Sequence, residues 1–343
     1  MDGDRHLHPE APTRRGKASG SADEVIESEH PDFAAGDLVS GVFGWQDYAV
    51  SDGSAFGGGL FAPLKIPPGV DIPTALSLFG ITGLTAYFGL LEVGQPEPGE
   101  TVLVSGAAGA VGSVVCQIAK LKGCRVVGIA GGARKCEWLR DELGVDDAID
   151  YKGEDLLTRV GDTCPNGIDV FFDNVGGETL DVALAGMAIG ARIVLCGALS
   201  GYGGFEQRPV IRNHFNMILK RGTMRGFLVF DYLDRAMEAI GDLATWASEG
   251  KVKNQVDVVE GLENAPDALK RLFTGENLGN SWSRSQTPAK ADLVPKAREP
   301  SLTGSVRLDC SVEAAGFEPA TSSAPSRADF RVDVSVRRPE ASS

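Results

Sequence analysis

The stretch "TVLVSGAAGAVGSVVCQIAKL", residues 101–121, sets the architecture of this chain. An apolar, β-branched run enters a turn built of glycine, alanine and serine, and an apolar stripe follows. Val111, Val114, Val115, Ile118 and Ala119 recur at helical spacing and share one side. The stretch therefore reads as a strand, a tight turn and a helix. Its turn has the form Ala107-x-Gly109-x-x-Gly112, a variant of the dinucleotide fingerprint. Gly109 lets the backbone approach a pyrophosphate with no Cβ in the way, and Gly112 lets the helix lie close to the sheet. The helix N-terminus then offers N–H groups and the positive end of its dipole to phosphates.

The same rhythm continues downstream. Strands are expected at "RVVGIAG", "DAIDY", "IDVFFDNV", "ARIVLCGA" and "MRGFLVF", with helices over 134–143, 153–159, 178–187, near 211–220 and over 232–249. In the last helix Leu233, Met237, Ile240 and Leu243 lie at helical spacing. Apolar strands alternating with amphipathic helices imply a parallel sheet covered on both faces. The fold class is α/β, a six-stranded parallel doubly wound (Rossmann) sheet. Upstream, "EVIESEHPDFAAGDLVSGVFGWQDYAVSD" mixes short apolar runs with turn signals and reads as short antiparallel strands of a small barrel. Residues 74–94 read as two short helices.

Composition narrows the function classes. The chain has 343 residues, 43% hydrophobic and 23% charged, with a net charge of -14. That charge argues against a nucleic-acid partner. No window holds about eighteen uninterrupted apolar residues, so no membrane span is expected, and cytoplasm is the default location. The six cysteines include no Cys-x-x-Cys pair, and three of the four histidines lie in or beside the N-terminal stretch. No metal site is expected from them.

The end of the second strand of the Rossmann unit indicates which dinucleotide fits. NAD enzymes carry an acid there, about 20 residues beyond the glycine turn, to hold the ribose 2′-hydroxyl. Here the sequence is "IAGGARK": Ala130, Gly131 and Gly132 leave room, and Arg134 and Lys135 bring positive charge. Loss of the acid and gain of cations suit the 2′-phosphate of NADP(H).

Several segments, in order and spacing, resemble a known family. They are the run from "GLTAYFGLLEVG" to "GGARKCEWL", then "FDNVGGETLD", "CGALSGY" and "VVEGLENAPDALKRLFTGENLG". They look like the zinc-independent medium-chain dehydrogenases/reductases. Within these they are similar to the prostaglandin reductase and leukotriene B4 dehydrogenase-like reductases of alkenal and enone double bonds, with curcumin reductase-like NADP-dependent members. The resemblance runs from about Glu24 to Gly279. It implies that Gly109, Ala110, Val111 and Gly112 form the pyrophosphate turn, and that Lys135 and Tyr151 hold the 2′-phosphate. It implies a cofactor contact for Asn174 and a loop under the nicotinamide formed by Cys196, Gly197, Ala198, Leu199, Ser200, Gly201 and Tyr202. Phe227, Leu228 and Val229 would form a strand near the carboxamide, and Asn277 a late contact. Tyr202 is the candidate proton donor in catalysis. The resemblance further implies no zinc, a small-molecule α,β-unsaturated carbonyl substrate and a homodimer.

The termini depart from the family. The early strands of its GroES-like barrel are missing before Glu24, and the sequence after Gly279 is unrelated to it. The string "AAGFEPATSS" at 314–323 is what a tRNA gene's T-arm gives in one reading frame, which suggests readthrough from a lost stop or a frameshift. The expected organisation is a disordered arm over 1–24, a remnant of the GroES-like substrate domain over 25–75 and an NADP-binding Rossmann domain over 76–250. A C-terminal return to the substrate domain follows over 251–280, and a disordered tail over 281–343. Two alternatives stay open beside enone reduction: quinone reduction on the same scaffold, and NADPH binding without catalysis.

Overall fold

The computed structural model describes residues 20–53, 62–201, 210–285 and 306–313. Four short strands come first: β1 (Gly20–Ser28), β2 (Leu38–Val42), β3 (Tyr48–Ser51) and β4 (Leu64–Lys65). Two helices follow, α1 (Ile72–Leu76) and α2 (Ile81–Phe88). Asp71 starts α1 by accepting the Thr74 N–H at 2.9 Å. α2 runs on as a turn of π-helix, Gly89–Gly94.

The repeating unit then appears in full. It comprises β5 (Thr101–Ser105), α3 (Ala110–Leu121), β6 (Arg125–Ala130), α4 (Ala133–Leu143), β7 (Asp147–Asp150), α5 (Leu156–Thr163), β8 (Ile168–Asp173), α6 (Gly177–Ala185) and β9 (Met187–Leu195). α7 (Asn216–Lys220), β10 (Thr223–Gly226) and α8 (Ala236–Ser248) complete it. The six strands are all parallel, in the order β10-β9-β8-β5-β6-β7. This is the six-stranded doubly wound sheet expected from the alternation of apolar strands and amphipathic helices. Residues of each strand alternate between two cores. Val102, Val104, Val126, Val170 and Phe172 join α2, α3 and α8, while Leu103, Val127, Ile129, Phe171 and Ile193 join α5 and α6.

Some boundaries differ from the sequence reading. The strand expected over 224–230 stops at Gly226, and Val229–Arg235 is a 3-10 helix leading into α8. Met237, placed on the buried face of that helix by spacing, is 76% exposed, while Ala239 and Leu243 are buried. The 3-10 lead-in rotates the helix face, which periodicity alone does not register.

The chain returns to the first strands through β11 (Val256–Glu260), α9 (Ala265–Thr274), β12 (Asn280–Arg284) and β13 (Val306–Glu313). The second sheet has the order β11-β12-β13-β1-β2-β4, with β3 also paired to β13. Residues 1–24 and 281–343 were expected to be structureless, and parts of both are strand. β1 begins at Gly20, β12 extends to Arg284, and β13 pairs antiparallel with β1, β12 and β3. The segment "VRLDCSVE" alternates apolar and polar residues at period two, a strand signal hidden among the Ser, Arg and Pro around it. Most of the remaining arm and tail lies outside the described residues. Among the described residues, no helix is long and apolar enough to cross a membrane.

Candidate active site

β5 and β8 are neighbours at the point where the strand order reverses, and doubly wound sheets bind ligands in the crevice beyond the strand ends there. The last residues of both strands meet. Ser105 Oγ donates to Asp173 Oδ1 at 2.7 Å, and Val175 N and Gly176 N donate to the same oxygen at 3.1 and 2.9 Å. Asn174 N donates to Ser105 Oγ at 2.9 Å, and Asn174 Nδ2 to Ser105 O at 2.7 Å. Asp173 is fully buried and its Oδ2 has no partner. Burial holds its carboxyl above the usual carboxylate range, against the pull of those donors.

The loop after β9 hangs on the same carboxylate residue. Cys196 N and Gly197 N both donate to Asp173 O, at 2.9 and 3.0 Å. Ser200 N and Ser200 Oγ donate to Val175 O at 3.0 and 2.7 Å. A Cβ on Gly197 would lie 2.7 Å from Asn174 O, so the loop runs close over Asn174. Burial pushes the Cys196 thiol up to about 12, with the Asp173 charge adding to the effect. The sequence-expected site residues Asn174 and Cys196–Gly201 are thus assembled into one unit. Tyr202 lies outside the described residues.

The glycine turn has the geometry its sequence requires. Gly109 caps α3 in extended conformation, and its N–H donates to Gly106 O at 2.9 Å. A Cβ on Gly112 would lie 2.3 Å from Gly106 O and 2.9 Å from Ala107 Cα, a contact only glycine avoids. Ala110, Val111 and Gly112 form the first turn of α3, where N–H groups point out of the helix end. The return segment lies against this turn: Gly279 N donates to Ala108 O at 2.8 Å, and Gly109 and Gly279 form an isolated parallel bridge. Asn277 is buried beside it and donates through Nδ2 to Gly279 O at 3.0 Å.

The end of β6 opens towards cations. Lys135 Nζ donates to Gly275 O at 2.8 Å, and Lys152 Nζ to Thr274 O at 3.3 Å. Tyr151 is half exposed beside them, and a Cβ on Gly131 would touch Tyr151 Cε1 and Lys152 Cε at 2.9 Å. Burial, and then the charge of Lys152, lower the pKa of Lys135. Two observations fit a phosphorylated dinucleotide: a glycine cradle that a Cβ would fill, and adjacent ammonium groups at the adenosine end that, among the described residues, form no ion pair with a carboxylate.

Phe227 is partly buried against the π-helix, where a Cβ on Gly89 would lie 2.4 Å from its ring. It stands edge-on to Tyr232, which stacks on Phe88. Leu228 is exposed and Val229 buried. The three residues are therefore a bend into a 3-10 helix and not a strand.

Ser105, Asp173, Lys152 and Gly279 were missed in the sequence. Ser105 and Asp173 could have been found as the last residues of two adjoining strands, and Lys152 as a cation next to Tyr151. Gly279 carried no local signal, because its role is a backbone bridge. Among the described residues, no three His, Cys, Asp or Glu side chains form a group that could hold a metal ion.

A doubly wound sheet with a glycine turn and a cationic adenosine end, tied to a mostly antiparallel sheet by a return segment, defines a dinucleotide-dependent oxidoreductase. The family model described as zinc-binding dehydrogenase matches residues 110–246, and that described as N-terminal domain of oxidoreductase matches residues 15–57. The NADPH-dependent curcumin reductase of Escherichia coli is 39% identical over 268 residues, covering 76% of this chain and 75% of that protein. The NADP(+)-dependent 2-alkenal reductase of Nicotiana tabacum is 43% identical over 259 residues, covering 75% and 73%. The crystal structure of CurA with NADPH from Vibrio vulnificus aligns with TM-score 0.70 at 34% identity, covering 82% of this chain and 94% of that one. The chain belongs to the medium-chain dehydrogenase/reductase family.

Proposed function

We propose that this protein is an NADPH-dependent, zinc-independent oxidoreductase that reduces the C=C bond of α,β-unsaturated carbonyls, that is, enones and alkenals. The observation that carries the cofactor choice is the end of β6, which carries no acid of its own: Lys152 and Tyr151 lie against Gly131, and Lys135 reaches the same helix end as Lys152. The substrate class rests on the likeness to the curcumin and 2-alkenal reductases.

On this reading Gly109–Gly112 and the first turn of α3 hold the pyrophosphate, while Lys135 and Tyr151 hold the 2′-phosphate. Asn174, the Cys196–Gly201 loop, Phe227–Val229 and Asn277 surround the rest of the cofactor. Bound there, NADPH supplies hydride to the electrophilic β-carbon of the substrate. The protein's own task is to orient that carbon and to donate a hydrogen bond where negative charge develops on the carbonyl oxygen. We assign the proton for the α-carbon to Tyr202, on the likeness to the alkenal and enone reductases. Residues 76–250 are then the cofactor domain, with 25–75 and 251–280 forming the substrate side.

A homodimer fits β10, which among the described residues is the outer strand of the parallel sheet. β10 is exposed along its whole length, and Phe215, Ile218, Leu219 and Met224 are exposed around it. A cytoplasmic location agrees with five free cysteines among the described residues.

The test is turnover of the purified full chain with NADPH and a simple 2-alkenal, followed by loss of nicotinamide absorbance and by identification of the saturated aldehyde. NADPH binding with no product would leave a binding protein, and reduction of quinones alone would move the activity to that class.

A further inference from the structure

Two lysines, from two different loops, end on consecutive carbonyls at the C-terminus of one helix. Lys135 comes from the first turn of α4 and reaches Gly275 O, while Lys152 follows β7 and reaches Thr274 O. Thr274 ends α9 and Gly275 is its C-cap, so the carbonyls there carry the negative end of the helix dipole. Each ammonium spends one donor on that helix end and keeps others. Asp257, the carboxylate that draws on Lys135, is already paired with Arg271 at 2.7 Å. Among the described residues, neither lysine forms an ion pair with a carboxylate. The two ammonium groups end on neighbouring carbonyls, and the charge of Lys152, after burial, lowers the pKa of Lys135.

We propose that Lys152 is a second cationic ligand of the cofactor's 2′-phosphate, and that Thr274 O and Gly275 O preset it and Lys135 as a pair. This rests on the NADPH reading above. The helix C-terminus fixes the two ammonium groups on consecutive carbonyls. It thereby removes the ordering that flexible lysines would otherwise undergo on binding. Because α9 leads through Asn277 and Gly279 into β12, discrimination between the two nicotinamide cofactors depends on the return segment as well as on the Rossmann unit.

The probes are 2′,5′-ADP and 5′-AMP, titrated into the full chain and into Lys152→Ala, Lys152→Gln and Lys152→Arg by calorimetry, with thermal melting of each. The parent should prefer 2′,5′-ADP. Lys152→Ala and Lys152→Gln should each bind 2′,5′-ADP about tenfold more weakly, the loss of one charge-assisted bond. Their affinity for 5′-AMP and their melting temperatures should stay those of the parent, and Lys152→Arg should recover most of the preference. A parent that shows no preference defeats the NADPH reading and this proposal with it. A parent that prefers 2′,5′-ADP while both neutral variants bind it as well as the parent overturns the role of Lys152 alone. Equal weakening of both probes, with a lower melting temperature, would also overturn it, since that is the mark of a purely structural bridge to α9.

Discussion

Ser105 at the end of β5 and Asp173 at the end of β8 share a hydrogen bond of 2.7 Å, which joins the two strands between which the cofactor crevice opens. Three donors converge on Asp173 Oδ1 and none reaches Oδ2, so the carboxylate serves as a fixed acceptor with one buried, orphaned oxygen. Its raised pKa means that the folded chain keeps this proton to higher pH than the unfolded chain does. The contribution of the protonated form is fully present below the unfolded value of about 3.9 and is lost as pH rises through the folded value. Asp173→Asn keeps an acceptor at Oδ1 and puts an uncharged amide where the orphaned oxygen was. It should melt at or above the parent temperature at pH 8, with the difference shrinking towards pH 5. Asp173→Ala leaves the three donors unpaired and should lose about 1–3 kcal/mol in denaturant unfolding. An Asn variant that is much less stable than the parent at pH 8 would show that the charge itself holds the turn.

The two glycines of the turn should separate binding from folding. A Cβ at Gly112 meets the backbone of Gly106 and Ala107, and neither atom can swing away. Gly112→Ala should therefore destabilise the chain by about 1–3 kcal/mol, as overpacking does. At Gly109 the added Cβ would meet only Gly106 O, at 3.2 Å. Gly109→Ala should fold with little loss and bind NADPH at least about tenfold more weakly, about 1.4 kcal/mol, because its methyl group occupies the approach to the pyrophosphate. Paired melting and fluorescence titrations read both effects. Equal behaviour of the two variants would contradict this division of roles.

Much of this was legible in the sequence, for reasons that differ by element. The parallel sheet was readable because buried strands such as "TVLVS" and "IDVFFD" are apolar on both faces and the helices between them are amphipathic. The glycine turn was readable because its constraint is steric and local. The bend at Phe227–Val229 was not, since a 3-10 turn and a buried strand can share the same apolar run. The links from Lys135 and Lys152 to Gly275 and Thr274, and from Ala108 to Gly279, were not readable either. They join residues far apart in the chain, and backbone carbonyls and amides leave no trace in residue type.

Lys135 should give the cofactor preference a pH dependence. Lys135→Ala should weaken NADPH by roughly ten- to a hundredfold, the loss of a charge-assisted bond, and leave NADH nearly unchanged. Burial and the nearby charges of Lys152, Arg134 and Arg271 lower its pKa, and only Asp257 opposes them. As pH rises through that lowered value the ammonium loses its proton, so NADPH affinity should fall at a pH below the usual lysine range while NADH affinity does not follow. Titrations of both cofactors between neutral pH and pH 10 test this. A parallel decline for NADH would assign the effect to the protein as a whole.

The last prediction concerns the strand Val306–Glu313. By composition, residues 281–343 read as dispensable, and proteolysis would be expected to trim the chain to about residues 25–280. The structure places β13 between β1 and β12 and pairs it with β3 as well, so three strands meet on one segment. Arg307 faces Glu27 on one side and Val50 on the other in backbone register. A trypsin site there has its backbone amides engaged and should resist cleavage under native conditions. Without β13, β11 and β12 no longer connect to β1 in the sheet, and β1, β3 and β12 each present an unpaired edge. A chain ending at residue 305 should therefore melt lower than the parent, by about 2–4 °C for each kcal/mol of lost pairing, and should aggregate more readily. NADPH affinity should change much less, because β5, β8 and the glycine turn belong to the other sheet. Rapid native cleavage at Arg307, together with an unchanged melting temperature in the shortened chain, would remove β13 from the second sheet and restore the reading of this segment as a tail.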